Sequence, residues 1–118
     1  MSTPVGPYTP VVRAGDWLIC SGQLGLRQGS LVAGGVAAQL TVAIDNLAEL
    51  LRSEGGALAN VAKTTVFLAD MADYAEMNDA YVEAFGDHRP ARSAVAVAGL
   101  PLGALVEIEA WAHVPGQA

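Results

Sequence analysis

Cationic residues are scarce in this chain. Only six of its 118 residues are Lys or Arg, against twelve Asp or Glu, for a net charge of -6. Gripping a phosphate backbone takes clustered cations, and these six are scattered, so nucleic-acid binding and attachment to a membrane by a basic face are both disfavoured. A single cysteine, Cys20, rules out an internal disulfide and offers no redox pair; within residues 17–21 it is expected to be a small buried thiol. The two histidines, His88 and His113, lie far apart without ligand spacing, so no zinc site is expected. They read as surface or interface residues. The segment Gly22-Gln23-Leu24-Gly25 has no third glycine opening a helix and no P-loop lysine, and no serine has evident His and Asp partners. Covalent, metal and phosphate-cradling mechanisms are therefore disfavoured, and no cofactor is implied. No stretch approaches the ~18 apolar residues of a spanning helix, and the first ten residues hold no apolar targeting core. A cytoplasmic protein with one domain over residues 1–118 is expected.

Charge of either sign is low, at 15%, while 53% of the residues are hydrophobic. Soluble domains average roughly 25% charged. A monomer would have too little polar surface, and burial between subunits is the natural outlet.

The hydrophobic pattern predicts the elements. Val11–Ala14 and residues 17–21 form a hairpin about Gly15-Asp16. A turn at Gln28-Gly29-Ser30 leads into a short strand at Leu31 and Val32. Val36, Leu40, Ile44, Leu47 and Leu51 recur at three and four residues and mark an amphipathic helix to about Ser53. A strand follows over 61–69. A second helix begins near Asp70 or Asp73, with Asp73 and Glu76 as a capping-box variant, a core stripe of Tyr74, Met77, Tyr81 and Phe85, and a stop at Gly86. Two strands, 92–98 and 105–114, complete an α+β fold with both helices on one face of the sheet.

Two charged residues stand out in the last strands. Alternation over 105–114 puts Val106, Ile108, Ala110, Ala112 and Val114 on the core face and Glu107, Glu109 and Trp111 on the other. In the preceding strand Val95 and Val97 form one side, and Arg92 with Ala94, Ala96 and Ala98 forms the other, leaving room beside the guanidinium. Arg92, Glu107, Glu109 and Trp111 are accordingly expected on the uncovered face. A guanidinium can grip a carboxylate bidentately, a glutamate can deprotonate water, and backbone amides at Ser21-Gly22 can hold an anionic oxygen. This set suits hydrolysis of an already electrophilic carbon, such as that of an iminium. Glu109 reads as structural. A tight hairpin about Pro101 would leave Glu107 about four positions from the residue opposite Arg92, on the order of 13 Å. Either those strands are not neighbours, or the two side chains meet across a subunit boundary; the second is the expectation.

Seven stretches occur in order over nearly the whole chain: Gly6-Pro7-Tyr8, Ser21-Gly22-Gln23, Val61-Ala62-Lys63-Thr64-Thr65-Val66-Phe67-Leu68, Asp70-Met71, Pro90-Ala91-Arg92-Ser93-Ala94-Val95, Leu100-Pro101 and Val106-Glu107-Ile108-Glu109-Ala110. Together they resemble the RidA/YjgF family of enamine and imine deaminases. The resemblance implies a chorismate-mutase-like fold with one mixed sheet, a homotrimer with sites between subunits, and hydrolysis of 2-imino acids of the 2-aminoacrylate type to 2-keto acids and ammonia. It implies that Arg92 binds the substrate carboxylate, that Glu107 positions the attacking water, and that Tyr8, Ser21, Gly22, Asn78 and Ala94 line the pocket. The chain departs from many family members at Ala94, where they have Cys, and at Arg89, where they have an aromatic residue; Ala94 keeps its backbone carbonyl, and Arg89 is expected near the pocket mouth. The alternative within the same resemblance is a non-catalytic trimer that binds keto acids. Chaperone-like and ribonuclease activities occur in the wider family, and the acidic composition opposes the latter.

Overall fold

A computed structural model describes residues 4–116. Five strands form one mixed sheet in the order β1 (Val11–Ala14), β2 (Trp17–Gln23), β7 (Val106–His113), β5 (Val61–Leu68) and β6 (Ala91–Ala96). Only β5 and β6 run parallel; the other pairs are antiparallel. Between β2 and the first helix, β3 (Leu26–Arg27) and β4 (Ser30–Leu31) make a small separate ribbon, turned at Gln28 and Gly29, both at positive φ. The helices are α1 (Gly35–Ser53) and α2 (Tyr74–Phe85). This is the expected α+β arrangement, and the element boundaries fall within a few residues of the sequence reading.

Both helices cover one face, where Leu40, Ile44 and Leu47 of α1 and Met77 and Tyr81 of α2 meet Leu18, Thr64, Val66, Ile108 and Ala110 of the strands. The period of two on the strands and of three to four on the helices delivers these side chains to a common layer. Thr64 is polar yet fully buried inside it. Its hydroxyl lies 2.7 Å from the Tyr81 hydroxyl, so each is satisfied where water cannot reach.

Two expectations about ends are corrected. Asp70 rather than Asp73 opens the second helical segment, its carboxylate accepting from the Ala72 amide over a single 3-10 turn at Met71–Asp73, and Asp73 makes no side-chain cap. The last two strands are not a hairpin. β5 lies between them, because the chain crosses from α2 to the far edge and returns through Pro101–Gly103 to the middle of the sheet.

Candidate active site

The β2 strand carries a bulge: Cys20 pairs with Ala110 and Gln23 with Ile108, so Ser21 and Gly22 together face the single residue Glu109. The bulge brings the glycine against the neighbouring strand, where the Glu107 side chain lies across it. A Cβ at position 22 would fall 2.7 Å from the Glu107 carboxyl carbon and 3.0 Å from its Cγ. Any side chain at position 22 would push the Glu107 carboxyl out of its place.

The proline-rich arm ahead of β1 closes the other side. Ser21 anchors it twice, donating its amide to the Pro10 carbonyl at 2.8 Å and its hydroxyl to the Thr9 carbonyl at 2.8 Å. Tyr8 sits on this arm, its hydroxyl accepting from the Val5 amide at 3.3 Å. Ser21's donors are therefore spent on the arm, and its amide is not free to hold an anionic oxygen as expected from sequence.

Tyr8, Ser21, Gly22 and Glu107 together line an open cleft of about 300 Å³, with Val5, Leu24, Pro101 and Glu109 completing its wall. Glu109, read as structural, belongs to this lining; its shared parity with Glu107 was the available signal. Burial first, and the charge of Glu109 second, hold the Glu107 carboxyl above the ordinary carboxylate range. Such a carboxylate is a better base than a solvated one.

Arg92 is not in this cleft. In β6 it pairs with Thr64, whose side chain points to the helices, while Glu107 pairs with Phe67 on the opposite face. The guanidinium lies on α2, donating to the Tyr74 hydroxyl at 3.1 Å and to the Met77 sulfur at 3.6 Å, with Cζ 4.9 Å from the Tyr81 ring centre and 5.7 Å from that of Tyr74. The expectation that Arg92 shares the uncovered face with Glu107 is overturned. Parity was read with the valines inward, whereas at this edge strand the alanines face the helices and Val95 is 45% exposed on the open side. The space beside the guanidinium is filled by tyrosines of α2 rather than left open.

The sequence-predicted residues thus fall into two groups. Tyr8, Ser21, Gly22 and Glu107 share the cleft. Arg92 and Ala94 lie on the helix side of β6, and Asn78 on α2, with its side-chain Oδ1 buried and without a hydrogen-bond partner among the described residues. Tyr74, read as part of the core stripe, is instead exposed and bonds Arg92.

The remaining candidates have structural roles. Cys20 is 3% exposed, and burial pushes its thiol up to about 11, which keeps it protonated. His88 Nε2 donates to the Val61 carbonyl at 2.7 Å, tying the loop after α2 to β5. His113 is exposed beside Trp17 at 5.0 Å. Arg89 donates to the Gly86 and His88 carbonyls, capping the end of α2. No helix among the described residues is long and apolar enough to cross a membrane.

The Endoribonuclease L-PSP family model matches residues 1–114. The chain is 46% identical to the 2-iminobutanoate/2-iminopropanoate deaminase of Mus musculus, over 92% of this chain and 82% of that protein. It is 41% identical to the mitochondrial protein mmf2 of Schizosaccharomyces pombe, over 88% and 85%. Among solved structures, RidA from an Antarctic Psychrobacter superposes with a TM-score of 0.91 at 36% identity, covering 95% of this chain and 92% of that one.

Proposed function

Because the chain belongs to the Endoribonuclease L-PSP family, the RidA/YjgF family of its sequence motifs, we propose that it hydrolyses 2-imino acids of the 2-aminoacrylate type to 2-keto acids and ammonia. The proposal includes a homotrimer with each site between two subunits, and a cytoplasmic setting.

One observation carries the reading. A carboxylate with a raised pKa lies in a cleft on one sheet face, and the arginine suited to gripping a substrate acid lies on the other. Within one chain the sheet separates them. A site using both groups is completed by a second copy, and the open face offers the surface for it, with Trp111 44% and Val95 45% exposed.

In such a site Arg92 of one subunit holds the substrate carboxylate in a charge-assisted pair. Glu107 of the neighbour accepts a proton from water as the water oxygen bonds to the iminium carbon, giving a neutral carbinolamine. The proton then returns to the nitrogen, the C–N bond breaks, and the hydroxyl proton leaves with the departing ammonia as ammonium. Iminium plus water thus becomes ketone plus ammonium, with charge and atoms conserved and no cofactor involved. The family model's description names RNA cleavage, but a net charge of -6 opposes phosphate-backbone binding.

The test is to generate 2-aminoacrylate in situ and follow loss of the imine. Decay faster than the spontaneous rate is expected with the wild-type protein, and no acceleration with Arg92→Ala. Unchanged decay with the wild-type protein rejects the deaminase reading, and thermal protection by keto acids in that case supports the binding trimer instead.

A further inference from the structure

The contacts of Arg92 are with uncharged groups. Among the described residues no carboxylate pairs with it; its contacts are the Tyr74 hydroxyl, the Met77 sulfur and the rings of Tyr74 and Tyr81. These differ in rigidity. Tyr81 is buried, with its hydroxyl committed to Thr64, and Met77 is fully buried, so both form a fixed floor. Tyr74 is 38% exposed at the start of α2, and its hydroxyl is the oxygen that reaches the guanidinium.

We propose that Tyr74 is a positioning residue for the carboxylate grip, its hydroxyl fixing the guanidinium plane so that Arg92 meets a 2-imino or 2-keto acid with its remaining N–H groups already aligned. This rests on the reading of Arg92 as the group that binds the substrate acid. A guanidinium has five N–H donors, and the hydroxyl and the sulfur take two, leaving three for a bidentate carboxylate. A neutral oxygen orients the cation without neutralising it, whereas an acidic partner would compete with the substrate. The rings add attraction to the cation and likewise leave its charge available. Removing only the hydroxyl keeps the ring and loosens the plane, so the cost falls on binding rather than on the chemical step.

The experiment uses Tyr74→Phe and Arg92→Ala in the full chain, with pyruvate as the probe ligand. Tyr74→Phe is expected to raise the Kd for pyruvate and the KM for the imine in the same ratio, about three- to tenfold, as one hydrogen bond of ordinary net strength implies. The kcat is expected to stay within about twofold of the wild-type value. In ligand-free protein the Arg92 Nε–H resonance should be sharp in the wild type and broadened in Tyr74→Phe. Unchanged Kd, KM and Nε–H order, or a loss confined to kcat, overturns the inference. Pyruvate binding lost in Arg92→Ala but untouched in Tyr74→Phe overturns this inference alone, while undiminished binding in Arg92→Ala overturns the underlying reading as well. Should the wild type bind no pyruvate, an Nε–H line insensitive to Tyr74→Phe overturns the positioning role.

Discussion

Gly22 leaves the space that the Glu107 side chain occupies: a Cβ at 22 would sit 2.7 Å from the Glu107 carboxyl carbon. The displaced group would be the end of a flexible side chain, so the backbone has no need to move. Gly25 differs, because a Cβ there would meet the α1 backbone, 2.6 Å from the Gln39 Cα.

Gly22→Ala is accordingly expected to fold with a melting temperature close to that of the wild type and to lose deaminase activity. The loss should be about a hundredfold in kcat/KM, the lower range for a displaced general base. Gly25→Ala should show the reverse emphasis, with stability lowered by about 3 kcal/mol through forced separation of the loop from α1. Calorimetry and steady-state kinetics on the two variants check both halves.

The raised pKa of Glu107 has a definite sign in stability. Below the ordinary carboxylate range the group is protonated in both folded and unfolded chains and costs nothing. As pH rises through the interval between the unfolded and the folded pKa, the unfolded chain loses its proton first, and folding becomes less favourable until the folded pKa is passed. Glu107→Gln should therefore gain stability relative to the wild type between pH 4 and pH 7.5. Urea midpoints at the two pH values test this, and a constant difference between the proteins contradicts it. If Glu107 is the base of the proposed reaction, the activity should fall as acidification protonates it, from a pH above the usual glutamate range.

Placing Arg92 and Glu107 on opposite sheet faces predicts complementation between inactive variants. Arg92→Ala and Glu107→Gln, unfolded together and refolded as a mixture, should recover about a quarter of wild-type activity, the fraction of shared sites that receive both intact groups by chance. Neither variant refolded alone should recover any. No recovery in a mixture shown to contain mixed oligomers would place both groups of each site in one subunit.

Tyr81→Phe removes a hydroxyl that the buried Thr64 hydroxyl has as its partner at 2.7 Å. Leaving Thr64 unpaired in the core should lower stability by about 1–3 kcal/mol, read from urea denaturation. The ring remains beside Arg92, so binding of a keto acid should change little.

Several features were legible without a structure because they depend on local period. The α1 stripe from Val36 to Leu51, the alternation of β7 and the Gly15-Asp16 turn are properties of neighbouring residues, and burial follows them. Glu107 and Glu109 were assigned to the uncovered face for that reason. Arg92 was misassigned because β6 is an edge strand with alanines on one side and valines on the other. The side facing the core is fixed there by parallel pairing of Arg92 with Thr64 on β5, 28 positions earlier in the chain.

The sequence by itself determined the element order, the parity of the central strands, the scarcity of charge and the family. Each is carried by composition or by residues a few positions apart. Tertiary structure alone decided that β5 separates the last two strands, that Ser21 spends its donors on the N-terminal arm, and that the cleft and the arginine lie on opposite sides of the sheet. These depend on strand order and register, which are set by long-range pairing and by which faces the helices can cover.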